Sequence, residues 1–233
     1  MKKNLFLIAC FAGAIAGIIN GCKKDAVSIY NHGAITKSFT EEFVDVSKLT
    51  EKGWVITDNT SNDSGSYHYT QWEQGISGTD KSGAPIGFPA YSYGSSPDEY
   101  AYSQSFFSTD SNHSVSSWLI TPVLSVKNGD KISFYTRGDA DNLISRMQVL
   151  MNKSSAADVG SSSNSTGGFN TVLYDIDSSQ ILGNYPSTWT KYEYTLSGIS
   201  GNIETRIAFR NYFINTSTVP GGVAIDQFKF EVK

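Results

Sequence analysis

The segment from Ser117 to Thr136 restricts what this chain can become more than any other. Trp118 and Ile120 share one parity, and Ile132 and Phe134 alternate with Lys131, Ser133 and Tyr135. Both halves therefore carry the two-residue period of strands. Asn128-Gly129-Asp130 between them supplies the positive φ of a tight turn, which predicts a hairpin. Pro122 has no N–H to give to a ladder, so the first run must meet a sheet edge, a bend or a change of strand there. Such a pair cannot bury its apolar side alone and requires a second layer.

Most of the remaining chain is suited to form that layer. Phe39, Glu41 and Phe43 share a parity, and Trp54 and Ile56 follow Gly53. Met147, Val149 and Met151 lie on one face of a strand pattern, with Arg146 and Gln148 on the other. Val172 to Ile176, Tyr192-Tyr194-Leu196 and Ile203-Thr205-Ile207-Phe209 alternate in the same way. The last run is apolar at Val223 and Ile225 and then at Phe228, Phe230 and Val232, a slip that predicts a bulge at Asp226-Gln227. Residues 58–70 and 153–168 are polar loops, and residues 75–100 are rich in Gly, Ser, Pro and Tyr. Only Val44 to Leu49 suggests a helical turn. Short strands, turn clusters and 13% aromatic content predict an all-β fold, a single-domain antiparallel β-sandwich of jelly-roll type over residues 35–233.

The first residues stand apart. Lys2-Lys3 followed by an apolar run from Leu5 to Ile19 is a secretory signal, shorter than the roughly 20 residues of a membrane span. Ile19-Asn20-Gly21-Cys22 resembles the bacterial lipobox, so residues 1–21 are expected to be removed and Cys22 lipidated. Residues 22–34 then form a polar tether, and the protein is expected to be an outer-membrane lipoprotein, facing the periplasm or the cell surface. Cys10 and Cys22 are the only cysteines, so the mature domain has neither a disulfide nor a thiolate metal site. The formal net charge of −4, with no dense basic patch, argues against a nucleic-acid partner.

A set of motifs occurs in a fixed order. It comprises Phe39-Thr40-Glu41-Glu42-Phe43, Gly53-Trp54, Trp118-Leu119-Ile120-Thr121-Pro122 and Ile132-Ser133-Phe134-Tyr135. Trp189-Thr190-Lys191-Tyr192, Ile207-Ala208-Phe209-Arg210 and Val223-Ala224-Ile225-Asp226-Gln227-Phe228 close the series. From about residue 38 onward the chain resembles the choice-of-anchor J or cleaved-adhesin domain common in Bacteroidetes surface proteins. The resemblance implies a jelly-roll sandwich, often with a structural calcium ion, that serves adhesion or carbohydrate binding rather than catalysis.

Glu41 points by parity toward the core with Phe39 and Phe43, where an unpaired carboxylate is costly. Asp226 sits at the predicted bulge. Two carboxylates meeting without a cation would repel, and one would protonate; a hard cation with oxygen ligands removes the conflict. The expectation, which the resemblance also implies, is a structural Ca²⁺ joining the first and last strands through Glu41 and Asp226, with Asp58 or Asn59 as a third ligand. The alternative is a buried ion pair between Glu41 and Arg206 or Arg210. The stretch Asp58-Asn59-Thr60-Ser61-Asn62-Asp63 lacks the glycine and the closing Glu of an EF-hand and reads as a solvated loop.

Tyr91, Tyr93, Tyr100, Tyr102, Phe106 and Phe107 form the densest aromatic cluster. Most are expected in the core. Trp72, Tyr91 and Tyr93, in loops, are the candidates for stacking on a sugar ring, whose axial C–H groups suit a π face. Arg137-Gly138-Asp139 is an integrin-type tripeptide, but Gly and Asp are what turns use, and a turn is expected there.

Catalysis finds no support. His32, His68 and His113 lie in polar stretches, and neither a Gly-x-Ser-x-Gly elbow nor a phosphate-cradling glycine loop is present. No strand carries two acids on one face with aromatic flanks, as glycoside hydrolysis would favour. The sequence points to a non-catalytic envelope lipoprotein that binds a glycan or a surface protein and is held to the membrane by its lipid. An envelope assembly module comes second and a glycan-directed hydrolase third.

Overall fold

The computed structural model of the chain describes residues 33–61, 71–106, 113–214 and 219–233. Cys22 and the rest of the N-terminal signal and tether up to residue 32 lie outside the described residues, as do Asn62, Asp63, His68 and Phe107. The described residues form fourteen strands and a 3-10 helix, Val46–Lys52. The strands in the first half of the chain are β1 (Phe39–Glu41), β2 (Val55–Asp58), β3 (Glu73–Gln74), β4 (Ser77–Thr79), β5 (Pro85–Gly87), β6 (Ala101–Ser103) and β7 (Ser114–Ile120). They are followed by β8 (Leu124–Val126), β9 (Lys131–Gly138), β10 (Met147–Asn152), β11 (Thr171–Ile176), β12 (Thr190–Thr195), β13 (Ile203–Ile214) and β14 (Val223–Glu231).

They build an antiparallel sandwich. The first six-stranded sheet runs β12-β9-β14-β6-β3, with β1 also on β14. The second runs β11-β10-β13-β7-β2, with β8 also on β13. The start of the domain is joined to its end, with Phe39 opposite Phe230. The expected bulge is present: β14 slips register against β9 between Asp226 and Lys229, and Gln227 takes a φ of 48°.

The expected hairpin is not formed. β7 pairs with β13 in the second sheet, whereas β9 pairs with β14 and β12 in the first. Asn128-Gly129 therefore carries the chain between sheets rather than along one, with Gly129 at a φ of 93°. Turn chemistry specifies a reversal but not whether the two strands pair or face each other. Pro122 breaks the first run into β7 and β8, both laid along β13.

Between the sheets an edge-on chain of rings crosses the core. Phe134 meets Phe209 at 5.0 Å, Phe209 meets Phe228 at 5.7 Å, Phe228 meets Trp54 at 5.5 Å and Trp54 meets Phe43 at 5.6 Å. Such pairs add to the area that each ring buries. Asp45 caps the 3-10 helix by accepting from the Ser47 N–H at 3.0 Å, which folds Val46 and Leu49 onto this core.

Both sheets are also covered on the outside. Residues 153–169 lie over the second sheet, where Val159 and Phe169 pack on Trp118, Leu150 and Ala208. Residues 75–100 lie over the first, where Phe88, Ala90 and Tyr100 pack on Ala224. Arg146 and Gln148 do lie on the face opposite Met147 and Val149, yet that face is buried too. Arg146 forms a two-pronged ion pair with Asp175 at 2.9 and 2.7 Å, and Gln148 donates to Asp175 and accepts from Arg210.

The two ends of the sandwich differ. At one end Ile35 donates to Val123 and Lys233 donates through its backbone N–H to Asp130, beside the Gly129 turn. The opposite, distal end carries Ser103, Gly138 and Val223, which are ladder neighbours. Among the described residues no helix is long and apolar enough to cross a membrane.

Candidate functional site

Two clefts open where residues 75–100 cross the outer face of the first sheet, and the loop between β5 and β6 separates them. Its shape is held by Glu99. That buried carboxylate accepts from the Ser95 hydroxyl at 2.5 Å and from the backbone N–H groups of Gly94, Ser95 and Ser96. The Ser95 hydroxyl foremost, with these N–H groups, holds its pKa down to about 2. Trp189 ties the loop to β12 by donating to the Pro89 carbonyl at 2.9 Å.

The first cleft is acidic, about 370 Å³, and lined by Glu42, Val44, Ser92, Tyr93, Ser95 and Glu99. Behind it lies Asp226, fully buried, accepting from the Ser92 N–H at 3.0 Å and the Gln227 N–H at 2.6 Å. Burial pushes the Asp226 carboxyl up to about 7, and the charge of Glu42 adds to the shift. Oε2 of Glu42 is buried with no hydrogen-bond partner among the described residues. No lysine or arginine is paired with either acid among the described residues. A buried carboxylate left without a counter-charge is the arrangement that a hard cation would relieve. The described residues hold no cluster of three or more metal-ligating side chains, so backbone oxygens and water would have to complete such a shell.

The trio expected from the sequence is not brought together. Glu41 is buried as its parity predicts, but Lys52 binds it at 2.8 and 3.0 Å and the Phe43 N–H at 3.2 Å. The 3-10 helix brings Lys52 back over β1, so neither Arg206 nor Arg210 is its partner. Arg206 donates instead to the carbonyls of Gly53, Thr121 and Ser155. Asp58 lies in the second sheet opposite Ser117, where its carboxylate accepts from the Thr60 N–H, and Asn59 donates to the Gly160 carbonyl. The acid beside Asp226 is Glu42, one residue along. The chain turns at Phe43, whose φ is 51°, and strand parity no longer applies there. Replacing Lys52 with Met should cost about 1–2 kcal/mol in urea unfolding, because Glu41 would stay buried without its cation; an unchanged midpoint would show the pair to be idle.

The second cleft, about 290 Å³, is aromatic and lies at the distal end. Phe88, Tyr100 and Tyr102 form its wall, Ile76 and Ile86 its rim, and Asp139 and Gln104 its polar groups. Phe88 and Tyr100 stack at 5.0 Å, with Trp189 edge-on to both. The Tyr102 hydroxyl donates to Asp139 at 3.1 Å, and burial foremost raises its pKa.

The aromatic candidates divide. Trp72 is core, not platform: it is 3% exposed and its indole N–H donates to the Ser117 carbonyl between the sheets. Tyr91 and Tyr93 are exposed, at 44% and 56%, but beside the acidic cleft; Tyr91 stacks on Tyr135 at 3.5 Å. Arg137-Gly138-Asp139 is not a turn, since Arg137 and Gly138 end β9. The two charged side chains are held apart from the pose that a recognition tripeptide would need. The Arg137 guanidinium lies on the Phe88 ring at 3.8 Å, and one Asp139 oxygen accepts from Tyr102 and the Gly222 N–H. The alternation Tyr100-Ala101-Tyr102-Ser103 was the available signal for the cleft wall. Asp139, Gln104, Ile76 and Ile86 reach it from separate loops and left no local signal.

An antiparallel β-sandwich with ligand-sized clefts on one covered face is thus the class of protein that fold and site define. No protein-family model matches this chain, and no curated protein matches it. Among solved structures it is similar to the K2 cleaved adhesin domain of Lys-gingipain, at TM-score 0.52 and 17% identity over 84% of this chain and 99% of that one. The K3 cleaved adhesin domain of Lys-gingipain from Porphyromonas gingivalis gives 0.48 at 17% identity, over 83% and 96%. The carbohydrate-binding module TmCBM61, solved with β-1,4-galactotriose, gives 0.39 at 11% identity, over 82% and 99%. The K2 likeness shows a shared sandwich fold; the identities are too low to carry anything further.

Proposed function

We propose that this protein is a non-catalytic carbohydrate-binding or adhesion module of the cell envelope, a choice-of-anchor J or cleaved-adhesin-like domain held to the outer membrane by a lipid on Cys22. The observation that carries this reading is the distal aromatic cleft, which combines an apolar wall with a carboxylate and an amide on a rigid two-sheet carrier. It opens at the end opposite Ile35, and so away from the side on which a tether enters the fold. Structural Ca²⁺ is part of the proposal. Glu42 and Asp226 are the side chains that would hold it, and it would neutralise both and pin residues 91–95 to β14.

Hydrolysis is disfavoured by access. Among the described residues Asp139 is the one acid lining the aromatic cleft, whereas glycoside hydrolysis uses a pair. Glu99 and Asp226 have pKa values driven apart, but Asp226 has no exposed surface and both Glu99 oxygens are taken by its own loop. A second reading, docking onto an envelope protein, is favoured by Ile181, Leu182, Ile214 and Val219. These exposed side chains, on the end of β13 and the loops beside it, meet at the distal end, where Gln180 pairs with the Ile214 backbone and Ile144 donates to Val219.

A glycan array probed with residues 33–233 separates the two readings. Binding to a defined set of plant, host or mucin glycans is expected; silence across all three would favour the protein partner.

A further inference from the structure

Within the glycan-binding reading, on which this step rests, we propose that Asp139 is the specificity-determining residue of the distal cleft and excludes anionic sugars from it. The carboxylate is only half engaged. Oδ2 accepts from the Tyr102 hydroxyl at 3.1 Å and the Gly222 N–H at 2.6 Å, while Oδ1 accepts no hydrogen bond among the described residues. The engaged half is held rigidly, because a Cβ at Gly222 would come within 2.3 Å of the Tyr102 hydroxyl. One oxygen is thus pinned and the other left to accept from a ligand. A charge-assisted bond to a hydroxyl is a strong form of such contact.

Arg137 lies within the field of Asp139 but forms no ion pair with its carboxylate among the described residues. Arg137 lies flat on Phe88 at 3.8 Å with its Nε on the Gly138 carbonyl at 3.1 Å. Further acids surround the cleft: Glu73 stands opposite Tyr102 in the ladder, Asp98 acts on Tyr100, and Asp141 acts on Arg137. A uronate, sialate or sulfate entering here would meet this field with no lysine or arginine lining the cleft among the described residues. A neutral pyranose would lay its C–H face on Tyr102 and Ile86 and present adjacent hydroxyls to Asp139 Oδ1 and Gln104. The Gln104 amide is exposed and has no partner among the described residues. About 290 Å³ is at the small end of ligand sites and suits one or two rings.

The test is calorimetric titration of the full chain in detergent micelles. The neutral probes are xylotetraose, cellotetraose and mannotetraose, and the anionic one is tetragalacturonate. At least one neutral probe should bind and tetragalacturonate should not compete. Asp139→Ala should weaken neutral binding roughly tenfold or more, the range of one charge-assisted hydrogen bond. Asp139→Asn, which keeps an acceptor for the Gly222 N–H, should admit tetragalacturonate while the melting temperature stays at the wild-type value. Neutral binding that both variants leave intact, or a wild-type preference for tetragalacturonate, would overturn the role of Asp139 and leave glycan binding standing. No binding by any probe to the wild type would remove both.

Discussion

Asp226→Asn should raise the melting temperature of the calcium-free protein by roughly 10 °C at pH 8 and leave it unchanged at about pH 3. The cause is the burial of the carboxyl, reinforced by Glu42, which lifts it from 3.8 to about 7 in the fold. Below about pH 3 the acid is protonated in both folded and unfolded chains and contributes almost nothing. Between about pH 3 and 7 the unfolded chain releases its proton while the folded one keeps it, so stability falls as pH rises. Above 7 the loss is complete, at about 4 kcal/mol. The amide of Asn carries no charge at any of these values and still accepts from one of the two backbone N–H groups, so the variant escapes the loss.

Calcium should reverse this ordering. At pH 8 its addition should raise the wild-type melting temperature and leave Asp226→Asn where it was, with Glu42→Gln in between. At pH 4.5 the gain should shrink, because a proton then occupies the carboxyl. Melts in EDTA and in millimolar calcium at both pH values test this directly. A wild-type melt that is flat from pH 4 to 8 and indifferent to calcium would remove both the buried charge and the ion.

The second large effect is expected at Arg210. It is 1% exposed, on the side of β13 facing away from the core between the sheets. Its guanidinium donates to the Ser116 hydroxyl, the Gln148 carbonyl oxygen and the Ser163 carbonyl, and it lies over Tyr212 at 3.6 Å and Trp118 at 4.7 Å. Burial lowers its pKa to about 10, a sign of how little water reaches it. Arg210→Ala would strand the Gln148 and Ser163 oxygens and open a void beside Trp118, at a cost of about 3–5 kcal/mol. Because the Ser163 contact fastens residues 153–169 to the sheet, amide exchange should accelerate in that loop before it does so in β10 or β13. Arg210→Met, which refills the volume with an apolar chain, should recover part of the loss. Equal stability of the alanine variant and the wild type would mean that the guanidinium is dispensable to the loop.

How far the fold could be read in advance follows from the range of each signal. Alternation over Ile203–Phe209 and Tyr192–Leu196 marked strands correctly, and the parity slip at Asp226-Gln227 marked the bulge, since both depend on neighbours in the chain. Parity also placed Glu41 inside. It failed to name the partner, because Lys52 returns through a helix whose direction depends on how Val46 and Leu49 pack. Trp72 looked like a loop aromatic and proved to be core for a similar reason: its flanking residues are polar, while its indole reaches Ser117 across the sandwich.

By itself the sequence determined that the chain forms short antiparallel strands in two layers, with a bulge in the last one. Those properties follow from a period-two apolar pattern, which any compact state must bury on one side. Only the tertiary structure decided that Asn128-Gly129 crosses between sheets, that loops 75–100 and 153–169 cover both outer faces, and that Glu42 rather than Glu41 stands by Asp226. Side chains distant in sequence are brought together by packing, and a pattern of apolar faces says which surfaces must be covered without saying by what.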